Sequence, residues 1–241
     1  MTDIRVGPRP APPRPASLDA AYAALAKALA SEPPPAGWKL GGTNWASRAA
    51  FGMDRLWFGP LAAHEVLSTP TRAPGLPLAE LKGEAEIALR IAPEGAATPW
   101  DAWRVALETP SSLVPDMAAA GVATLVADRC SAGSLLLGPP EPAGALVALE
   151  NGAAGSRFAI EIDGREAAVG ALSDLTDAPS ACLAAFLAEA RSRGFHPRPG
   201  DWVATGGITP CIDLPEGARA RVLLGDEPRL DIRVSRTAAD A

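Results

Sequence analysis

Apolar side chains recur along this chain with two different periods, and the change of period divides it into elements. Ser17 stands where a helix N-cap is expected, and Leu18, Tyr22, Leu25 and Leu29 follow on one helical face in an Ala-rich background. That pattern predicts three to four turns, stopped by Pro33-Pro34-Pro35. Strict alternation from Glu84 to Ile91 predicts a strand with Glu84, Glu86, Ala88 and Arg90 on one face and Ala85, Ile87, Leu89 and Ile91 on the other. Trp103 to Glu108 alternates likewise and groups Arg104, Ala106 and Glu108. Arg157–Asp163 and Arg165–Gly170, meeting at Asp163-Gly164, predict a β-hairpin with a two-residue loop. Asp177 is the expected cap of a second helix running to about Arg193, with Leu183, Phe186, Leu187 and Ala190 buried and Gly194 as its stop. Trp202–Thr205, Ala218–Leu224 and Arg229–Val234 read as strands, with Gly225 to Pro228 turning the last pair.

Two helices and eight or more short strands, without a βαβ rhythm, predict one α+β domain of mostly antiparallel strands over residues 17–241. Residues 1–16 are expected to be a flexible Pro-rich N-terminus, since the Pro8 to Pro15 run has no apolar periodicity. Hydrophobic residues make 48% of the 241, enough for a packed core, and aromatics only 5%, so that core is aliphatic. The 25 prolines and 23 glycines punctuate many short elements. A net charge of −6 argues against nucleic-acid and anionic-membrane partners, which need a clustered cationic footprint. No apolar h-region precedes Ala16, and no stretch approaches the roughly 18 apolar residues of a membrane span, so a cytoplasmic soluble protein is expected. Cys130, Cys182 and Cys211 are odd in number and lack metal-site spacing, which reads as buried thiols in a reducing compartment.

Candidate chemistry gathers at few positions. Glu84 and Glu86 project from one strand face and can hold one hard cation between them, and Glu108 can add a third oxygen if the two strands are neighbours. The spacing alone fits a wet strand face with ordinary glutamates better. Lys39 is one of three lysines and lies in Gly37-Trp38-Lys39-Leu40-Gly41-Gly42-Thr43-Asn44, where small residues admit a ligand and a lone cation suits an acid; a turn with a surface lysine is the other reading. The Gly133–Gly138 segment and Gly206-Gly207 match no phosphate-binding pattern, and no nucleophile elbow is present.

Gly37-Trp38-Lys39-Leu40-Gly41, Glu84-Ala85-Glu86-Ile87-Ala88, Ala106-Leu107-Glu108, Ala127-Asp128-Arg129-Cys130-Ser131-Ala132-Gly133 with Leu137-Gly138, and Gly200-Asp201-Trp202-Val203-Ala204-Thr205-Gly206-Gly207 occur in this order. The set resembles the 2-keto-4-pentenoate hydratase and 4-oxalocrotonate decarboxylase group of the fumarylacetoacetate hydrolase superfamily, from about residue 17 to the C-terminus. The resemblance implies a mixed β-roll, with Mg²⁺ or Mn²⁺ held by Glu84, Glu86 and Glu108. It implies a small 2-oxo or 2-hydroxydienoic acid as substrate, with Lys39, Arg129, Ser131 and Thr209 as its contacts, and a homodimer or higher homo-oligomer. Lys39 and Glu84 are the expected catalytic groups. The acid would chelate the ion, which stabilises an enolate, while Lys39 neutralises the carboxylate or relays a proton with a pKa that burial beside a cation lowers. The hydrolase branch uses a His–Glu pair in an N-terminal lid. No histidine precedes Lys39 here, and His64-Glu65 lies well after it, which favours the hydratase or decarboxylase branch.

Two departures fall near the expected pocket. Thr109-Pro110-Ser111-Ser112-Leu113 replaces a V-D-S-R-like segment, and Arg129 stands where the family carries a neutral amide. Arg129 is expected to substitute for the missing arginine as a carboxylate binder, the other reading being that it fills the pocket. The leading expectation is a hydratase of 2-hydroxypenta-2,4-dienoate. The alternatives are a 2-oxo acid decarboxylase, an acylpyruvate-type C–C hydrolase, and a non-catalytic partner subunit or acid-binding member.

Overall fold

Helix α1 (Leu18–Leu29) begins as the pattern predicts, with the Ser17 hydroxyl accepting from Ala20 N at 3.1 Å and Ala21, Tyr22 and Leu25 buried. The computed structural model describes residues 12–68, 81–152 and 156–234. Residues 1–11 of the expected Pro-rich N-terminus therefore lie outside the described residues. After α1 come β1 (Gly37–Gly41), α2 (Trp45–Phe51), β2 (Trp57–Leu61), β3 (Val66–Ser68), β4 (Lys82–Ile91), β5 (Trp100–Thr109), α3 (Met117–Ala120), α4 (Val122–Ala127) and β6 (Ser134–Leu137). The second half carries α5 (Ala143–Glu150), β7 (Arg157–Ile162), β8 (Arg165–Ala171), α6 (Pro179–Ser192), β9 (Trp202–Ala204), β10 (Ile212–Asp213), β11 (Arg219–Leu224) and β12 (Glu227–Arg233).

The larger sheet runs β2-β1-β9-β4-β5-β6-β3, with β10 also on β4. It is mixed, since β1 pairs β9 and β3 pairs β6 in parallel. Strands β2 and β3 occupy its opposite ends, yet only residues 62–65 separate them in sequence. Such a link spans no more than about 14 Å fully extended, so the sheet must curl into a roll that brings its ends together. A smaller antiparallel sheet, β12-β11-β7-β8, packs beside it. Its β7–β8 hairpin turns at Asp163 (φ 50°) and Gly164 (φ 78°), the doubly left-handed pair that a two-residue hairpin loop requires.

The two faces of the roll differ in side-chain size. Outward, Trp38, Phe58, Ile87, Leu89, Val105, Leu107 and Leu136 join α1 and α6 in the main core. Tyr22, Trp38, Phe58, Phe186 and Phe195 form a ring cluster with centroids 4.7–6.1 Å apart, and Tyr22 Oη accepts from Phe58 N at 3.0 Å. Each such buried aromatic contributes about 1.5–3 kcal/mol, which anchors Trp38 outward and so turns its neighbour Lys39 inward. Inward, the alternation leaves Ala88, Ala106 and Ala204 with Leu61, Leu135 and Leu137. These alanines leave volume for charged groups inside the roll.

Helix α6 departs from its expected start. Ala178 is the N-cap and Pro179 opens the helix, while Asp177 makes no capping bond. The acceptor comes from elsewhere: Glu150, at the end of α5, takes Ser180 N at 2.8 Å and Ser180 Oγ at 2.9 Å. Four short helices, α2 to α5, join the two that the periodicity predicts. Cys130 and Cys182 are buried, but Cys211 is exposed.

Candidate functional site

Strands β4 and β5 are antiparallel with Glu84 opposite Glu108 and Glu86 opposite Ala106. Residues opposite one another share a face, so all three glutamates point into the roll. One oxygen of each lies within 4.8 Å of the others. Glu86 and Glu108 are fully buried, while Glu84 is half-buried. Lys39 reaches the cluster from β1, three strands away along the curled sheet, and its Nζ is 2.9 Å from Glu108 Oε1. That contact is an ion pair without good hydrogen-bond angles, since Glu108 Oε1 and Oε2, with Glu86 Oε1, are buried oxygens that accept no hydrogen bond. Glu86 Oε2 accepts from Gly206 N at 2.8 Å.

Three carboxylates and one ammonium leave a formal charge of −2 in a buried space, which a divalent cation would neutralise. Buried unsatisfied acceptors cost stability unless something takes their lone pairs, and oxygen donors in this number suit Mg²⁺ or Mn²⁺. The residues therefore fit such an ion. Without one, burial pushes Glu108 up to about 7, with Lys39 opposing and Glu84 adding to the rise. Burial also raises Glu84, against the pull of Lys39. It raises Glu86 well above its ordinary range, aided by the Glu84 and Glu108 charges. For Lys39 burial disfavours the ammonium, but Glu108, Glu84 and Glu86 outweigh it and hold the amine above its usual value. The lowering anticipated from the sequence supposed a cation beside the amine; among the carboxylates alone the direction is upward.

A cavity of about 580 Å³ opens onto Glu84 between α2, β8 and the 207–211 segment, lined among others by Asn44, Trp45, Ser47, Val169, Thr209 and Cys211. No lysine or arginine lines it among the described residues, and Asp174 is its other acid. Thr209 lies on its wall with Oγ1 accepting from Ala85 N at 2.9 Å. Lys39 stands behind the carboxylates rather than on the wall. Arg129 is placed elsewhere: its guanidinium donates to Glu65 and to Pro60 O, and it does not line the cavity. Ser131 is also off the cavity, with its carbonyl accepting from Ser111 N at 2.7 Å. Arg129, Cys130 and Ser131 have φ of 55°, 59° and 54°, a left-handed turn of three non-glycine residues beside the site. Sequence reasoning missed Trp45, Val169 and Asp174 as cavity residues. The only available signal was Asn44, whose cap of Ser47 sets α2 and thereby Trp45.

No family model matches the chain, and no curated protein does. Solved structures do. The 4-oxalocrotonate decarboxylase of Pseudomonas putida G7, complexed with calcium and acetate, aligns with a TM-score of 0.74 at 22% identity over 90% of this chain and 86% of that one. The chain has the fold of that enzyme. The same decarboxylase with magnesium and adipate aligns with a TM-score of 0.74 at 21% identity and the same coverage. The fumarylpyruvate hydrolase of Pseudomonas aeruginosa, in complex with Mn²⁺ and pyruvate, gives a TM-score of 0.58 at 18% identity over 82% of this chain and 88% of that one. The fold is therefore that of fumarylacetoacetate hydrolase-like proteins, a mixed α+β roll. No helix among the described residues is long and apolar enough to cross a membrane.

Proposed function

We propose that this chain is a Mg²⁺- or Mn²⁺-dependent lyase of the fumarylacetoacetate hydrolase superfamily, acting on a small 2-oxo acid as a 2-keto-4-pentenoate hydratase does. The observation that carries the reading is the Glu84–Glu86–Glu108 cluster, with buried oxygens left unsatisfied and Lys39 at 2.9 Å from Glu108. Structural neighbours that hold divalent ions and small acids support it. A bound ion supplies Lewis acidity toward the carboxylate and 2-oxo oxygens of the acid.

The chain's own groups then divide the work. Glu84 is the one carboxylate of the three that lines the cavity, so it is the group able to take or return a proton at the acid's carbon chain. Lys39, with its Nζ 2.9 Å from Glu108 Oε1, would offset the negative charge that gathers as the dienol rearranges. In hydration, 2-hydroxypenta-2,4-dienoate becomes its keto form and water adds at C4, giving 4-hydroxy-2-oxopentanoate with no other product. Thr209 and Asn44 offer polar atoms on the wall, and Trp45 and Val169 offer apolar surface for the tail.

Decarboxylation is the second reading, since the decarboxylase of P. putida G7 shares the fold at a TM-score of 0.74. A dicarboxylic substrate needs a partner for its far carboxylate, and Asp174 with no described cation on the wall disfavours one. Assays of the Mn²⁺-loaded protein separate the two. Conversion of 2-hydroxypenta-2,4-dienoate to 4-hydroxy-2-oxopentanoate without CO₂ is expected. Turnover confined to a 2-oxo dicarboxylic acid, with release of CO₂, would transfer the chain to the decarboxylase reading.

A further inference from the structure

We infer that Asn44 is a positioning residue for the Glu84–Glu86 pair, acting through the Gly206–Gly207 backbone; the inference rests on the metal-centre reading above. The segment after β9 follows β4 with ladder-like bonds from Thr205 N to Ile87 O (3.0 Å) and from Ile208 N to Ala85 O (2.8 Å). Between them, opposite Glu86, the chain departs from the ladder. Gly206 takes φ 117°, a conformation that strains any side chain, and turns its N–H onto Glu86 Oε2 at 2.8 Å. A Cβ on Gly206 would overlap Thr43 Oγ1, and a Cβ on Gly207 would overlap Glu84 Oε2. Gly206 thus bonds one carboxylate while Gly207 abuts the other.

What holds the glycines is the start of α2. Asn44 Nδ2 donates to Gly207 O at 2.9 Å, while its Oδ1 accepts from Ser47 N at 2.7 Å. Neighbouring Thr43 is itself tied down, its carbonyl accepting from Thr176 N at 2.8 Å. One amide side chain therefore caps the helix on the cavity wall and holds the Gly207 carbonyl, in the two-glycine segment whose Gly206 N–H bonds Glu86 and whose Gly207 abuts Glu84, the role that outer partners play for metal ligands generally.

The two roles of Asn44 separate by substitution. Asn44→Ser keeps a good N-cap, but its shorter side chain lacks the amide that reaches Gly207 O. Gly207 is not among the left-handed glycines, so Gly207→Ala is compatible with the backbone, and the atom that must yield is the end of the Glu84 side chain. Mn²⁺ titration by calorimetry, with thermal melting in EDTA beside it, reads both. The expected result is a melting temperature within about 3 °C of wild type and a Mn²⁺ Kd raised about 10- to 100-fold in each variant. Folded Asn44→Ser with wild-type Mn²⁺ affinity, or loss of fold in both variants, overturns the proposal. Failure of the wild type to bind Mn²⁺ overturns the metal centre itself, and this inference with it.

Discussion

Glu84 and Glu108 face each other directly across the β4–β5 pair, and Lys39 closes on Glu108 from the far side of the curled sheet. Like charges set opposite one another destabilise a sheet, and here Glu108 is also buried and Glu84 half-buried. A divalent cation would offset that repulsion, and proteins accept such a cost where a site needs it.

Removing one of those charges should therefore help the metal-free fold while harming the site. Glu86→Gln is expected to stabilise the protein by about 1 kcal/mol in EDTA at pH 8 and to weaken Mn²⁺ binding at least about tenfold. Chemical denaturation and calorimetry check it. Lower stability with unchanged ion binding contradicts the assignment of Glu86.

The raised carboxylates set a pH dependence. Glu108 titrates near 7 in the folded chain against an ordinary 4.5, and Glu84 and Glu86 are raised too. Between those values the folded chain keeps protons that the unfolded chain has released. This contribution to stability is full below pH 4.5 and is lost as the pH rises through about 7. Mn²⁺ competes with the same protons, so the melting-temperature gain from added Mn²⁺ should grow from pH 5.5 to 8. A gain that is flat or shrinks across that range contradicts the carboxylate assignment.

Lys39 is the one buried cation beside the cluster among the described residues. Lys39→Met leaves Glu108 without its counter-charge and should cost about 3 kcal/mol at pH 8 in EDTA, less at pH 5.5, where Glu108 takes a proton. Turnover of the Mn²⁺-loaded variant should fall at least about 100-fold. Wild-type stability at both pH values would show that the Lys39–Glu108 pair is not maintained in solution.

Arg129 is engaged by Glu65, whose carboxylate also accepts from Ala62 N at 2.7 Å. Arg129→Ala should cost about 1–3 kcal/mol, because the buried Glu65 carboxylate loses one charged donor and the left-handed turn at residues 129–131 loses its tether. KM for the acid should stay within about twofold while stability falls. A large KM increase in a variant of normal stability would return Arg129 to the carboxylate-binding role that the sequence suggested.

Elements set by local periodicity could be read directly from the chain. Alternation placed Glu84 and Glu86 on one face, and Asp163-Gly164 marked the β7–β8 turn. Helices α3 to α5 could not be found this way, because Ala-rich runs such as Met117–Ala120 have no polar face to mark a period. Strands β1 and β2, GWKLG and WFGPL, carry Gly and Pro against strand propensity and are held by the pairing of β1 to β2 and β9 and by the Trp38 and Phe58 rings. The Lys39–Glu108 and Arg129–Glu65 pairs join residues 69 and 64 positions apart. Only the curl of the sheet brings such partners together, and no spacing rule encodes that curl.

The most direct test of the metal centre is calorimetric titration of Mg²⁺ and Mn²⁺ into wild type and Glu84→Ala, with and without oxalate as a chelating mimic of the 2-oxo acid. Ion binding that oxalate strengthens, and that Glu84→Ala loses, is the expected result. Absence of ion binding in the wild type, or binding indifferent to both oxalate and the substitution, would contradict the account.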